Sequence, residues 1–156
     1  MHYEHLIQIN DPGNPLVEPM TREQLWRGIE RRVREPQRFE LGPDRCEVVE
    51  QIALRGEGTQ LARTVHFGAL RIEDEVTLEP QRRVVFTPRP QPGLAAVRLA
   101  ITIEEPAPDA LFLRFAYDSP PEHDDPQTDE VRTQAWLGND RDMVRQLRRW
   151  LRDATL

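Results

Sequence analysis

At 156 residues and a net charge of −6, the chain is sized for one domain and is poorly suited to nonspecific nucleic-acid binding. A chain this long buries roughly 70% of its unfolded surface, so its core needs neither metal nor disulfide. No stretch approaches the roughly 18 apolar residues of a membrane span, and the Met-His-Tyr-Glu-His start lacks a secretory pattern; the expectation is a soluble cytoplasmic protein.

His2–Ile9 alternates and places Tyr3, His5, Ile7 and Ile9 on one face of a strand. Asp11–Pro19, with three prolines and a glycine, is a loop. Thr21 and Gln24 form a capping box, Met20 and Leu25 a staple, and Pro36 ends the helix they begin. Leu25, Ile29 and Val33 make its apolar stripe, with Trp26 beside them. From Cys46 to Ser119 the period is two. Strands are predicted over Cys46–Arg55, Thr59–Phe67, Leu70–Glu79, Arg82–Pro88, Leu94–Glu105 and Ala110–Ser119.

Gly56-Glu57 and Gly68-Ala69 put glycine first in what read as two-residue type II′ turns, and Pro80 closes the next hairpin. Short links between successive strands mean an antiparallel meander, because parallel pairing needs a crossover. After an acidic stretch, Asp125-Pro126 caps a helix that runs to about Ala154. Val131, Ala135, Met143, Leu147, Trp150 and Leu151 are its inward candidates, and Gly138-Asn139-Asp140 predicts a bend.

The order of one strand, a helix, six meandering strands and a long final helix resembles the helix-grip fold of the SRPBCC, or START-like, superfamily. That superfamily includes pathogenesis-related plant allergens (PR-10) and polyketide cyclases. The Tyr3-Glu4-His5 strand, the Leu25-Trp26 helix, the Arg63-Thr64-Val65 strand and the C-terminal helix are similar to its AtaL-like branch. The resemblance implies one α+β domain over residues 1–156, with a curved seven-stranded antiparallel sheet wrapped around the C-terminal helix. It also implies an apolar cavity between them. Such cavities hold lipids, hormones or polyketide intermediates in relatives, some of which are enzymes and many only carriers.

The strand pattern independently gives a one-sided sheet. Cys46, Val48, Ile52, Leu54, Leu61, Val65, Ile72, Val76, Phe86, Leu99, Ile101, Phe115 and Tyr117 are among the residues of its apolar face. Two helices cover so broad a sheet poorly, leaving room for a cavity of roughly 300–1,000 Å³. A filled core is the alternative. Three charged residues fall on this face: Glu50, Arg63 and Asp74. Counting back from two-residue turns sets Glu50 opposite Arg63, and Arg63 opposite Asp74. An arginine held by carboxylates is satisfied where a lone one is not, so the cluster reads either as a polar anchor for a ligand or as a structural ion ladder. Tyr117 offers a hydroxyl at the rim. Trp136, beside the predicted bend, is a portal or a plug.

Other chemistries find little footing. None of His2, His5, His66 and His123 forms a metal pair, and Cys46 is a lone thiol with nothing to activate it. The chain has no lysine, which excludes Schiff-base chemistry. No phosphate-binding glycine loop or nucleophile elbow appears. No catalytic residue, metal or cofactor is assigned. The function expected is binding of a small hydrophobic ligand, such as a lipid, an aromatic or a polyketide-like molecule, lined by Glu50, Arg63, Asp74, Phe86, Leu99, Ile101, Phe115, Tyr117 and Trp136. The alternatives are a cyclase or dehydratase acting in the same cavity, and a non-binding interaction protein with a filled core. Oligomeric state stays open, a homodimer included.

Overall fold

The computed structural model describes residues 1–121 and 125–156; the acidic stretch with His123 lies outside them. The elements are β1 (His2–Gln8), α1 (Arg22–Arg34), a 3₁₀ turn (Pro36–Arg38), β2 (Arg45–Ala53), β3 (Thr59–Phe67) and β4 (Leu70–Glu79). β5 (Arg83–Pro88), β6 (Arg98–Glu104), β7 (Phe112–Asp118) and α2 (Pro126–Arg152) complete the order. The strands form one curved antiparallel sheet in the order β1-β7-β6-β5-β4-β3-β2, so only β1 leaves the meander, to pair with β7. This is the helix-grip fold. No helix among the described residues is long and apolar enough to cross a membrane.

Local chemistry explains the helices. Thr21 accepts from the Gln24 amide at 3.0 Å while the Gln24 side chain accepts from the Thr21 N–H at 2.9 Å, so two otherwise orphaned donors are paired. Leu25, Ile29 and Val33 point into the core as their spacing predicts. Gly28 faces Leu147 of α2 so closely that an added Cβ would sit 2.5 Å from Leu147 Cδ2; the missing side chain lets the helices touch. The Asn10 side chain bonds both the N–H and the C=O of Met20, which closes the loop between β1 and α1.

α2 departs from expectation in its buried stripe. Its helix is continuous from Pro126 to Arg152, through Gly138. Its buried stripe is Asp140, Met143, Val144 and Leu147, whereas Val131 is 70% exposed and Ala135 is exposed too. The apolar pattern misreads the phase of the first half of the helix because less exposed positions there, Asp129, Arg132 and Thr133, are polar, as is Asp140 beyond them. Trp150 is half-buried at the far end, edge-on to Phe39 and under the Arg31 guanidinium. β6 begins only at Arg98, since Pro90, Pro92 and Gly93 turn the preceding chain out of the sheet.

β2 holds the main correction. Leu54 pairs with Gly58, so Arg55, Gly56 and Glu57 form a three-residue loop around Gly56 at φ +77°. Glu50 therefore sits opposite Ala62, not Arg63, and is exposed on the outer face. Ile52 and Leu54 go outward with it, and Gln51 turns in to accept from Arg34 at 3.1 Å. A bulge at Val49 then restores the parity: Val48 faces Arg63 and Cys46 faces Val65. Glu50→Ala is accordingly expected to move the unfolding free energy by no more than about 0.5 kcal/mol, measured by urea denaturation.

Candidate functional site

Between β3, β4, β5 and β6 on one side and α2 with the 36–43 segment on the other lies a cavity of about 740 Å³. This lies within the range of small-molecule sites, roughly 300–1,000 Å³. Val65, Ile72, Phe86 and Leu99 of the sheet, with Met143 of α2, give it apolar walls. Phe67, at the tip of the β3–β4 hairpin, is largely exposed at its lip.

Arg63 and Asp74 are cross-strand neighbours on this face, as the Gly68-Ala69 turn predicts. Each is only 6% exposed. The guanidinium grips the carboxylate with both arms: Nε donates to Oδ1 at 2.9 Å and Nη2 to Oδ2 at 2.6 Å. Its Nη1 donates to the Val33 carbonyl at 2.6 Å, an oxygen that the end of α1 leaves without a helical partner. The Phe86 ring lies 5.2 Å from the guanidinium carbon. These bonds use three of its five N–H groups, and Arg63 is one of the residues that line the cavity. Cys46 lies close by; burial raises its thiol pKa, with the Arg63 charge pulling the other way.

A second polar group is buried under α2. Asp140 is fully buried and its Oδ2 accepts from Tyr117 Oη at 2.7 Å and from His5 Nε2 at 2.8 Å. Arg32 Nη1 stands 3.5 Å from Oδ1, which has no hydrogen bond among the described residues, as is also true of His5 Nδ1. His5 stacks on Phe115, and Tyr117 stacks on Trp136 at 4.3 Å. Burial first, then the Asp140 charge, raises the Tyr117 pKa, which keeps the phenol protonated. Four elements meet at this carboxylate: β1, β7, α1 and α2.

The structure thus brings Arg63, Asp74, Phe86 and Leu99 together at the cavity. Ile101 and Phe115 are wholly buried core residues, Tyr117 and Trp136 belong to the Asp140 group, and Glu50 is on the opposite face. Sequence reasoning missed Asp140 and Arg32. The signal for Asp140 was present, because it precedes Met143 and Leu147 by three and seven residues on one helical stripe. Among the described residues, no group of three or more His, Cys, Asp or Glu is placed to hold a metal ion.

A family model described as acetylaranotin biosynthesis cluster protein L (AtaL) matches residues 7–154. The chain belongs to the AtaL family. This AtaL-family chain shares its fold with the Zhui aromatase/cyclase from Streptomyces sp. R1128, at a TM-score of 0.62 and 11% identity over 99% of this chain and 97% of that one. The di-domain ARO/CYC StfQ from the steffimycin biosynthetic pathway is similar at a TM-score of 0.60 and 9% identity. That match covers 94% of this chain and 49% of StfQ. The Aha1 dimer from Colwellia psychrerythraea gives 0.57 and 13% identity over 94% and 96% of the two chains. No curated protein matches the sequence. At such identities the structural likeness shows the fold alone.

Proposed function

We propose that this AtaL-family chain, acting as one domain, binds a small hydrophobic molecule in the cavity between sheet and C-terminal helix: a lipid, an aromatic or a polyketide-like compound. The observation that carries the reading is the composition of the cavity floor. Apolar Val65, Ile72, Phe86 and Leu99 surround one satisfied polar pair, Arg63 and Asp74, whose guanidinium keeps donors for a ligand carbonyl or hydroxyl. A cyclase-type reaction in the same space is the second reading, favoured by the two structural neighbours described as aromatase/cyclases. Binding is preferred because both oxygens of Asp74 are engaged by Arg63, which leaves that carboxylate poorly placed as a general base.

Native mass spectrometry of freshly purified protein tests the binding reading, followed by titration with Nile red. A co-purifying apolar mass, or saturable dye binding, is expected. Ile72→Trp, which fills part of the floor, should weaken dye binding at least tenfold. Absence of both signals in the wild-type protein would refute the reading.

A further inference from the structure

The charge around the cavity is opposite in sign to that of the chain. The protein carries −6, yet the cavity lining holds six arginines against three carboxylates. Those carboxylates are already engaged: Asp74 by Arg63, Glu40 by Arg149 at 2.8 Å, and Asp142 by Arg145. Arg32 turns toward Asp140. Two cations are left. Arg148 and Arg152 stand one turn apart on α2, and neither has a carboxylate within ion-pair distance among the described residues.

Like charges at this spacing repel, and burial adds to the cost for Arg148. Arg148 is half-buried and donates to the Glu18 carbonyl at 3.0 Å. Burial lowers its pKa; the Glu18 charge opposes that and the Arg152 charge adds to it. The negative end of the helix dipole accounts for a cation in the last turn, but not for one drawn partly out of water beside a second. An anion between them relieves both terms.

We infer that the cavity's occupant is a monoanionic amphiphile, its carboxylate meeting Arg148 and Arg152 and its apolar body lying on Val65, Ile72, Phe86 and Leu99. The inference rests on the reading of the cavity as a binding site, and it narrows the ligand class from hydrophobic molecules to apolar acids. Both a fatty acid and an aromatic acid present this chemistry.

The test is competition against Nile red with matched pairs: laurate against 1-dodecanol, and 2-naphthoate against 2-naphthalenemethanol. Laurate is expected to bind at least tenfold more tightly than dodecanol if the body is a chain. The naphthoate pair should show the larger ratio if the body is a ring. The preferred acid should lose affinity between low and high sodium chloride while its alcohol does not, because only the acid's contact is screened. In the double variant R148Q/R152Q the acid-to-alcohol ratio should fall below about threefold, following the loss of the charge term. Alcohols binding as tightly as their acids in wild type would overturn this inference and leave the cavity reading intact, as would a ratio unchanged in the double variant. If none of the four compounds nor the dye binds, both readings fall.

Discussion

Replacing Arg63 with alanine is expected to lower the free energy of unfolding by about 3–5 kcal/mol, because the substitution strands a buried carboxylate. Asp74, at 6% exposure, would lose both of its short hydrogen bonds. The Val33 carbonyl would lose its donor as well, and with it the tie between the end of α1 and the centre of the sheet. Urea denaturation provides the measurement. The double variant R63M/D74L separates this explanation from simple loss of packing. It removes donor and acceptor together, leaves no orphaned charge, and should be clearly more stable than the sum of the single variants implies. A midpoint equal to wild type in Arg63→Ala would mean that the pair is not buried in solution. The same geometry limits what Arg63 can do for a ligand. Nε, one arm of Nη1 and one of Nη2 are held by Asp74 and the Val33 carbonyl. On the binding reading proposed above, the residue would orient a neutral acceptor without leaving its partner.

Two neighbouring hairpins show what the sequence does and does not disclose about this site. At Gly68-Ala69 a glycine at φ +58° opens a two-residue turn, Phe67 faces Leu70, and the count places Arg63 beside Asp74 correctly. At Gly56 the same residue type with the same sign of φ sits at the centre of a three-residue loop. Both loops satisfy the glycine equally, so the residue that marks a turn does not report its length. A difference of one residue is enough to send Glu50, Ile52 and Leu54 to the outer face. The bulge at Val49, five residues before Leu54, restores the faces, so Cys46 and Val48 lie inward as their alternation predicts, though opposite other partners than the count gives. The one-sided sheet, the meander and the cavity were legible because they follow from period and link length. The charge of the cavity was not. Its arginines come from α1, β3 and α2 and are dispersed among acids along the chain, so only the folded arrangement separates them.

Asp140→Ala is expected to cost about as much as loss of Arg63, again about 3–5 kcal/mol, although the two groups share no hydrogen bond. Asp140 is fully buried, and its removal leaves the Tyr117 hydroxyl and the His5 imidazole without their acceptor and the Arg32 guanidinium without its nearby counter-charge. Tyr117→Phe removes one donor and keeps the carboxylate's other contacts, so its cost should be smaller, about 1–3 kcal/mol. The alkaline limb distinguishes the electrostatic account from packing. Burial and the Asp140 charge raise the Tyr117 pKa in the folded protein, whereas the unfolded chain ionises near the ordinary value of about 10. The folded state thus binds the proton more tightly. Its contribution is complete below about pH 10 and is lost as pH climbs beyond that toward the folded value. Unfolding free energies measured from about pH 8 to about pH 11 should fall more steeply for wild type than for Tyr117→Phe. Parallel slopes would show that the phenol ionises alike in both states, and that the Asp140 cluster is open to water. A steeper wild-type slope ties β1, β7, α1 and α2 to one buried carboxylate, since no other acid accepts from the Tyr117 hydroxyl among the described residues.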